Sequence, residues 1–322
     1  MKKILVTGGA GYIGSVTVKR LLEKGMEVVV FDNLIQGHKE VVSCPLIVGD
    51  LLHPEDLSQL DSYDFDGVIH FAAHLSVAES MKDPAKYFQN NLQGGLNLLE
   101  YMKKRNIKHI VFSSTAAIFG MPESTPIKED DKKNPVNVYG ESKLMFETIL
   151  EWYDRILDIK FIALRYFNAA GASLDGSIGE NHMPETHIIP VAIKKAQEGK
   201  PFSLFGTDYP TKDGTCVRDY IHVEDLATAH ILAIEYLEKS NASNAFNLGT
   251  NKGYSNKEVV EMVKKITGLN IDMIQEHRRP GDPAVLLADN SKAKEVMGWN
   301  PQHSDLETIV KTAWEFYSKE NL

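Results

Sequence analysis

Cysteine is scarce in this 322-residue chain, and long apolar runs are missing from it. The two cysteines, Cys44 and Cys216, match no metal-binding or redox spacing, so we expect two reduced, inert thiols. No segment approaches the ~18 uninterrupted apolar residues that span a bilayer, and the apolar run near the N-terminus is too short for a signal peptide. We therefore expect a cytoplasmic protein with no membrane partner.

Positive charge is also in deficit. The chain has 35 Lys and Arg residues against 44 Asp and Glu residues, which gives a formal net charge of −9 and a pI near 5.7. This balance argues against nucleic acid as a partner, and it means that an anionic ligand must be held by a few well-placed groups. His70 and His74 are four residues apart, but His70 lies in an apparent strand, where this spacing does not make a metal pair. We predict no metal site.

Short apolar runs alternate with longer amphipathic stretches in the first half of the chain. The whole composition, 43% apolar and 25% charged, is that of an ordinary globular protein with one large domain or two. The runs predict buried strands at 3–9, 27–33, 46–50, 67–73, 109–114 and 161–168, and the stretches predict helices at 14–25, 84–106 and 139–156. Alternation of this kind predicts an α/β fold with a doubly wound, Rossmann-type parallel sheet.

The amino-acid composition changes after about Asn168, where Gly, Pro, Asn and His become frequent. We place the main boundary there, between a first domain of residues 1–168 and a smaller, mixed α/β domain of residues 169–322. Further helices are predicted at 222–238, 255–266 and 303–319. We expect the segment 222–250 to return and pack on the first domain.

A glycine-rich turn follows the first predicted strand and opens the first predicted helix. In TGGAGYIG, Gly8, Gly11 and Gly14 allow a tight turn whose backbone amides approach a pyrophosphate at the helix N-terminus. Asp32 ends the next strand, where its carboxylate can bind an adenosine ribose and would repel the 2′-phosphate of NADP. We therefore predict NAD as the cofactor. Asp50 and Leu51 end the third strand and are candidates to frame the adenine.

The stretch VYGESK places Tyr139 and Lys143 four residues apart, on one face of a predicted helix. Among the 12 tyrosines, Tyr139 is the only one with lysine at this spacing. A nearby cation favours the phenolate and would lower the pKa of Tyr139, which would make it a general base. The end of the fifth strand adds three candidate hydroxyl groups: Ser113, Ser114 and Thr115.

The order of dinucleotide turn, hydroxyl and Tyr-x-x-x-Lys resembles that of extended short-chain dehydrogenases/reductases. The similarity narrows to the UDP-glucose 4-epimerase family through motifs that run nearly from end to end: TGGAGYIGS, DN, HFAA, NN, FSSTA, YGESK, RYFNAAGA, DYPTKDGTCVRDYIHVEDLA and RRPGDPA. The resemblance implies reversible hydride transfer at C4 of a UDP-sugar to tightly bound NAD, through a 4-keto intermediate. It also implies a homodimer, with helices 84–105 and 137–156 as the seam.

The resemblance assigns three catalytic residues. Tyr139 is the expected base for the sugar 4-hydroxyl, Thr115 a hydrogen-bond partner of that oxygen, and Lys143 the contact to the nicotinamide ribose. Further cofactor contacts are expected, beyond those above, from Tyr12, Ile13, Asn33, Phe71, Ala72, Ala73, Asn91, Ser113 and Tyr166.

The substrate would be held mainly by the second domain. By the same resemblance, the diphosphate would be bound by Asn168, Arg218 and Arg279, and the uridine ribose by Asp282. Other expected substrate contacts are His187, Ile188, Ser203, Phe205 and Tyr220. Because a flat keto sugar must turn over without escaping, binding through the unreactive diphosphate suits forked arginines in an acidic protein.

Three positions depart from the family pattern. Val16 stands where histidine is common, and His187 stands where many relatives have asparagine, which puts the uridine contact in doubt. Leu286 replaces an aromatic residue of some relatives, and the smaller side chain suggests that the pocket admits N-acetylated UDP-sugars.

Alternatives to this function stay open at the sequence level. A nucleotide-sugar 4,6-dehydratase normally has Asp-Glu directly after the strand-end hydroxyl, whereas this chain has Ala116 and Ala117. A nucleotide-sugar decarboxylase fits the UDP-end motifs less well. A non-enzymatic NAD-binding regulator usually loses the tyrosine or the lysine, and both are present.

Overall fold

Runs rich in valine, isoleucine and phenylalanine form the strands of the computed structural model, which describes residues 2–182, 184–279 and 281–319. Pro280 of the RRPGDPA motif lies outside this part of the chain. The strands are β1 (Lys3–Thr7), β2 (Glu27–Asp32), β3 (Leu46–Val48), β4 (Gly67–His70), β5 (His109–Thr115), β6 (Lys160–Tyr166), β7 (Asn168–Ala170), β8 (Phe202–Phe205), β9 (Val217–His222), β10 (Asn244–Leu248), β11 (Gly253–Ser255), β12 (Met273–Glu276) and β13 (Val285–Leu286).

Several of the helices between them start at a side-chain cap. In the helix that begins at Val138, for example, the Asn137 side chain accepts a hydrogen bond from the Gly140 amide at 2.8 Å. The helices are α1 (Tyr12–Glu23), α2 (Val77–Ser80), α3 (Pro84–Phe88), α4 (Gly94–Lys104), α5 (Val138–Leu157), α6 (Ile188–Gln197), α7 (Val223–Ser240), α8 (Asn256–Thr267), α9 (Ser291–Met297) and α10 (Leu306–Lys319). No helix in the described ranges is long and apolar enough to cross a membrane.

Seven strands form one parallel sheet in the order β10-β6-β5-β4-β1-β2-β3. Its core has two sides because side chains alternate along each strand: Ile4 and Val6 pack with α1 and α7, whereas Leu5 packs with α4 and α5. The predicted doubly wound α/β fold is confirmed. Within 222–250, α7 packs against α1, β5 and β6, and β10 extends the sheet beside β6.

A smaller group of elements carries its own core. Helices α6, α8 and α10 pack around β8 and β9 through buried residues such as Ile193, Val260 and Ile309. Strand β9 pairs with β7, β11 and β13 in a second sheet, and β8 pairs with β12.

Several predicted elements differ from the structure. The strand expected at 161–168 is interrupted at Phe167: β6 stays in the large sheet, while β7 pairs with β9 in the second sheet. The helix expected at 84–106 contains a π-helical turn at 89–93, between α3 and α4. The third strand ends at Val48, so Asp50 and Leu51 lie in the loop after it.

Candidate active site

The glycine turn between β1 and α1 is shaped by close backbone approaches. A Cβ on Gly8, where φ is +73°, would lie 2.5 Å from the Ala72 amide, and a Cβ on Gly14 would collide with the Gly8 carbonyl. A Cβ on Gly11 would meet only the Gly8 carbonyl, at 3.4 Å, so the space above this glycine is open.

This open space lies at the start of α1, where Gly11 is the N-cap and provides no side-chain cap. The first-turn amides of a helix have no partner within the helix, so those of Tyr12 and Ile13 are available to an anion. The turn therefore fits the pyrophosphate of a dinucleotide. The Tyr12 side chain itself is buried and donates to the Gly171 carbonyl at 2.6 Å, so it anchors the turn to the second group of elements.

The carboxylates after the neighbouring strands line the same edge. Asp32 is 7% exposed and accepts hydrogen bonds from the Ala10 and Leu34 amides, at 3.0 and 2.8 Å. Asp50 accepts a hydrogen bond from the side-chain Nδ2 of Asn33 at 3.2 Å. These contacts fix both carboxylates at the carboxyl ends of β2 and β3, where a parallel sheet binds nucleotides.

The segment after β4 closes the turn from the other side. The amides of Phe71 and Ala72 both donate to the Thr7 carbonyl, at 2.9 and 3.1 Å, which brings the chain up to Ala73 against the glycine turn. Asn91, in the π-helical turn, holds the end of this segment: its side chain binds both the amide and the carbonyl of His74.

Asn91 also reaches the helix of the predicted catalytic pair. Its amide nitrogen donates to the Ser142 hydroxyl at 3.0 Å, one residue before Lys143. In this structure Asn91 therefore joins the segment after β4 to α5. A π-helical turn is often found at functional sites, and here it lets one buried asparagine serve two neighbours.

Tyr139 lies at the start of α5, next to the end of β5. Its hydroxyl shares a hydrogen bond with Thr115, whose own Oγ1 also accepts from the Ala117 amide at 3.1 Å. Burial raises the pKa of Tyr139, and the hydrogen bond with Thr115 lowers it only in part. The expectation that Lys143 lowers this pKa is therefore wrong for this structure.

The reason lies in where Lys143 points. Its ammonium is buried, donates to the Ser113 carbonyl at 2.8 Å, and lies 4.8 Å from the centre of the Phe112 ring but 5.9 Å from that of Tyr139. Burial lowers the pKa of Lys143 to about 7, although Glu147 raises it. The ammonium is therefore directed at the Ser113 carbonyl and the Phe112 ring rather than at the phenol.

Strand β6 completes this edge of the sheet. The Tyr166 hydroxyl forms a short hydrogen bond with the Ser113 hydroxyl, and burial raises the pKa of Tyr166. The structure thus brings the predicted residues Ser113, Thr115, Tyr139, Lys143 and Tyr166 together around the ends of β5 and β6.

The predicted substrate residues lie on the second group of strands. Arg218 on β9 donates to Asp282 at 2.8 Å and to the Pro283 carbonyl at 2.8 Å, so these two predicted residues form an ion pair. The guanidinium of Arg279, which is exposed, stacks 4.1 Å above the Phe205 ring. Contacts with neighbouring residues therefore hold both guanidinium groups in place.

Other predicted substrate residues are nearby in the fold. Asn168 on β7 pairs with Tyr220 on β9 and donates to the Asp219 carbonyl at 2.9 Å. Ser203 shares β8 with Phe205, and Ile188 begins α6. His187, directly before α6, contacts Glu180 rather than any of these residues.

Leu286 pairs with Arg218 on neighbouring strands. Its side chain packs partly buried against the cluster of Ile118, Phe119 and Ile127. It thus lies at the junction of the two groups of elements, beside the predicted diphosphate grip.

A buried network behind Lys143 was not predicted. Arg165 donates to both carboxylate oxygens of Glu147, at 3.0 and 2.6 Å, and the Ser114 hydroxyl donates to the same carboxylate at 2.6 Å. Glu147 is one helical turn after Lys143, so the i, i+4 spacing of two opposite charges was the available signal.

The comparisons with known proteins agree with this geometry. The sequence profile of the NAD dependent epimerase/dehydratase family matches residues 4–249, so the chain belongs to that family. This membership confirms NAD as the predicted cofactor and the enzyme class as an NAD-dependent one. The curated UDP-glucose 4-epimerase of Streptococcus mutans is 53% identical over 98% of this chain and 96% of its own length.

The solved structures point to the same group. A Brucella ovis UDP-glucose 4-epimerase in complex with NAD matches with a TM-score of 0.95, 43% identity and 98% coverage of both chains. A Bifidobacterium longum UDP-glucose 4-epimerase in complex with NAD+ and UDP matches with a TM-score of 0.94, 36% identity and 99% coverage of both chains. The predicted resemblance to UDP-glucose 4-epimerases is confirmed.

Proposed function

We propose that this chain interconverts UDP-galactose and UDP-glucose, as an NAD-dependent UDP-sugar 4-epimerase. The observation that carries the proposal is the Tyr139–Thr115 hydrogen bond at the end of β5, with Lys143 one helical turn away. NAD, when bound, supplies an acceptor that takes and returns the hydride of C4. The cofactor-binding set would be the residues around the glycine turn, Asp32, Asp50 and the ends of β4 to β6.

The protein's own residues supply the proton chemistry. Tyr139 takes the proton of the 4-hydroxyl and returns it, while Thr115 holds that oxygen by a second hydrogen bond. Lys143 would bind the nicotinamide ribose from its buried position beside the Ser113 carbonyl, where burial lowers its pKa to about 7.

The UDP part would be held by the second group of elements. Arg218 and Arg279 present their forks to the diphosphate, which two arginines can bind in an otherwise acidic chain. Asp282 and Asn168 would orient the ribose and the phosphate, next to Tyr220. A grip on the diphosphate leaves the sugar free to turn over between the two hydride transfers.

The test is direct. Purified protein is incubated with UDP-galactose, and the nucleotide sugars are separated by chromatography. We expect UDP-glucose to form until equilibrium is reached, with no NADH released, because the net reaction is redox-neutral. Accumulation of free NADH in proportion to turnover, or no conversion of UDP-galactose, would contradict the proposal.

The alternative activities are not favoured. Ala116 and Ala117 occupy the positions where a dehydratase needs its acid–base pair. A non-enzymatic regulator would not need Tyr139 and Lys143 on one helix face beside the Thr115 hydroxyl. The small side chain of Leu286 would let the pocket admit N-acetylated UDP-sugars. UDP-N-acetylglucosamine should therefore be tested in the same assay as a second substrate.

We also propose a cytoplasmic homodimer. Helix α5 exposes Met145, Trp152 and Ile156, which are 41, 55 and 70% exposed and lie on one face because they are spaced by seven and four residues. An apolar stripe of this kind favours an interface with a second copy. The two free cysteines are consistent with a reducing compartment.

A further inference from the structure

The segment between β7 and α6 gathers four side chains with the chemistry of metal ligands. Glu180, His182, Glu185 and His187 each offer one ligand atom, and these atoms all lie within 4.8 Å of one another. The proposed epimerase mechanism leaves this group without a role, apart from the uridine contact that the resemblance assigned to His187. The expectation of no metal site considered only His70 and His74.

The distances within the group suit a small cation. His182 Nδ1 lies 3.1 Å from Glu180 Oε1, and His187 Nδ1 lies 3.7 Å from Glu185 Oε1. His187 Nδ1 also contacts Glu180 Oε1 closely. Zinc bonds to nitrogen and oxygen of about 2.0–2.1 Å place tetrahedral ligand atoms roughly 3.3 Å apart, which lies between the two distances, whereas the closer His187–Glu180 contact must lengthen when an ion enters.

Glu185 provides a second, independent observation. Its side chain is 5% exposed, and its Oε2 is buried with no hydrogen-bond partner in the described ranges. Its Oε1, by contrast, accepts from the amides of Thr186 and His187. A buried carboxylate oxygen without a partner is costly, and the ion pair of His187 with Oε1 leaves Oε2 unsatisfied.

We propose that Glu180, His182, Glu185 and His187 bind one divalent transition-metal ion. Two imidazoles and two carboxylates suit Zn²⁺ best, because magnesium and calcium prefer oxygen ligands alone. Four protein ligands leave no open position, so the ion is structural.

The surroundings show what the ion would hold together. The Tyr12 ring, in the cofactor turn, makes an edge contact with His182 at 6.4 Å, and His38 binds the Asn181 carbonyl at 3.2 Å. On the other side, the Tyr317 hydroxyl of α10 donates to the Glu180 carbonyl. The ion would therefore fasten the segment between the cofactor turn and the C-terminal helix.

The first test uses the unaltered protein. The purified protein is stripped with a chelator, mixed with one equivalent of Zn²⁺, desalted and analysed for zinc by mass spectrometry. We expect about one zinc per chain and a higher melting temperature, and Co²⁺ in its place should give the visible absorption of a tetrahedral site. No retained zinc together with an unchanged melting temperature overturns the proposal.

Variants then locate the ion. His182→Ala and Glu185→Gln should each weaken Zn²⁺ binding at least tenfold, whereas the double variant His53→Ala/Glu55→Gln should bind as the parent does. That control removes an exposed histidine–glutamate pair whose atoms are 3.5 Å apart. Parent-like zinc retention in both His182→Ala and Glu185→Gln means adventitious binding and sinks the proposal.

Misfolding of a variant and loss of epimerase activity are both distinguishable from loss of zinc binding. If a variant lacks the parent's circular dichroism spectrum, the zinc stoichiometry and the Co²⁺ spectrum of the parent decide the matter. Zinc content does not depend on turnover, so failure of the metal site and failure of the epimerase assignment are distinguishable.

Discussion

Lys143 shows how opposing forces act on one side chain. Burial favours the neutral amine, whereas Glu147, one helical turn away, favours the ammonium, and the resulting pKa is about 7. Arg165 donates to both carboxylate oxygens of the same Glu147.

Tyr139→Phe tests the proton chemistry. The substitution removes only the hydroxyl, so we expect turnover of UDP-galactose to fall by about 10²–10⁴-fold while NAD remains bound. Conversion rates and the bound-cofactor content of the same preparation provide the measurement. Tyr153→Phe is the matched control, because the Tyr153 hydroxyl binds Glu100 on the protein surface. Equal rates in the Tyr139→Phe variant and the parent would refute the role of this phenol.

Buried histidines predict acid sensitivity. Burial lowers the pKa of His70 and His222 to about 3 and that of His230 to about 4, although the Leu226 carbonyl raises the last. In the unfolded chain a histidine has a pKa near ~6.5, so the unfolded state binds more protons between these values. Stability must therefore fall as the pH drops from about 6.5 towards 4.

His230→Leu should reduce this loss. Between pH 7 and pH 5, we expect the free energy of unfolding of the variant to fall by roughly 2 kcal/mol less than that of the parent. Urea denaturation at the two pH values measures the difference. His53→Leu, at a side chain that is 64% exposed, should behave as the parent does. The same pH dependence in His230→Leu and the parent would show that this histidine is not held neutral.

At the scale of an element, two glycines of the glycine turn have different roles, one in folding and one in cofactor binding. Gly14 faces the Gly8 carbonyl with no room for a Cβ, whereas Gly11 faces open space. Gly11 also has φ −79° and ψ 175°, which alanine adopts without strain. The two glycines should therefore respond differently to the same substitution.

Gly11→Ala should fold as stably as the parent but lose NAD, because the new methyl group occupies the space above the helix N-terminus. Gly14→Ala should lower the melting temperature, because its methyl group collides with backbone. Cofactor content after gel filtration and thermal unfolding of the stripped proteins distinguish the two effects. Full NAD retention in Gly11→Ala would show that the pyrophosphate lies elsewhere.

At the scale of the whole molecule, the exposed stripe on α5 is an unusual surface. It presents Met145, Trp152 and Ile156 to solvent on a helix whose opposite face is buried through Phe146 and Leu150. Burying this stripe against a second copy would stabilise a dimer by about 25 cal/mol for each Å² of apolar surface removed from water.

Trp152→Glu should convert a dimer into a monomer, because a carboxylate in an apolar interface loses its hydration. Light scattering coupled to gel filtration gives the mass of each species. Ile274→Glu, at another exposed apolar side chain, 48% exposed on β12, is the control and should stay dimeric. A monomeric parent, or a dimeric Trp152→Glu variant, would argue against this interface.

Much of the first half of the fold could be predicted from the sequence. The runs around Val29 and Ile110 are continuous because parallel strands are buried on both faces. The interruption at Phe167 could not be predicted, since nothing in 161–168 shows that β7 pairs with a strand fifty residues later. The π-helical turn at Asn91 could not be predicted either, because the partners of the Asn91 side chain come from two distant segments.

The candidate site divides in the same way. Tyr139 and Lys143 could be paired from their spacing alone, and the motifs placed Arg218 and Asp282 in one binding function. The direction of the Tyr139 pKa was predicted wrongly, because burial raises it and the Lys143 ammonium binds the Ser113 carbonyl instead of the phenol. The group from Glu180 to His187 has a readable spacing, E-x-H-x-x-E-x-H, but no pattern shows that its four side chains converge.

By itself, the sequence determined what depends on local geometry: the alternation of strands and helices, the glycine turn, and the shared helix face of Tyr139 and Lys143. These follow from backbone periodicity, which a short stretch of chain sets on its own. Only the tertiary structure decided the protonation of Lys143, the ion pair of Arg218 with Asp282 and the position of β10 beside β6. Those depend on burial and on partners distant in the chain, which only packing brings together.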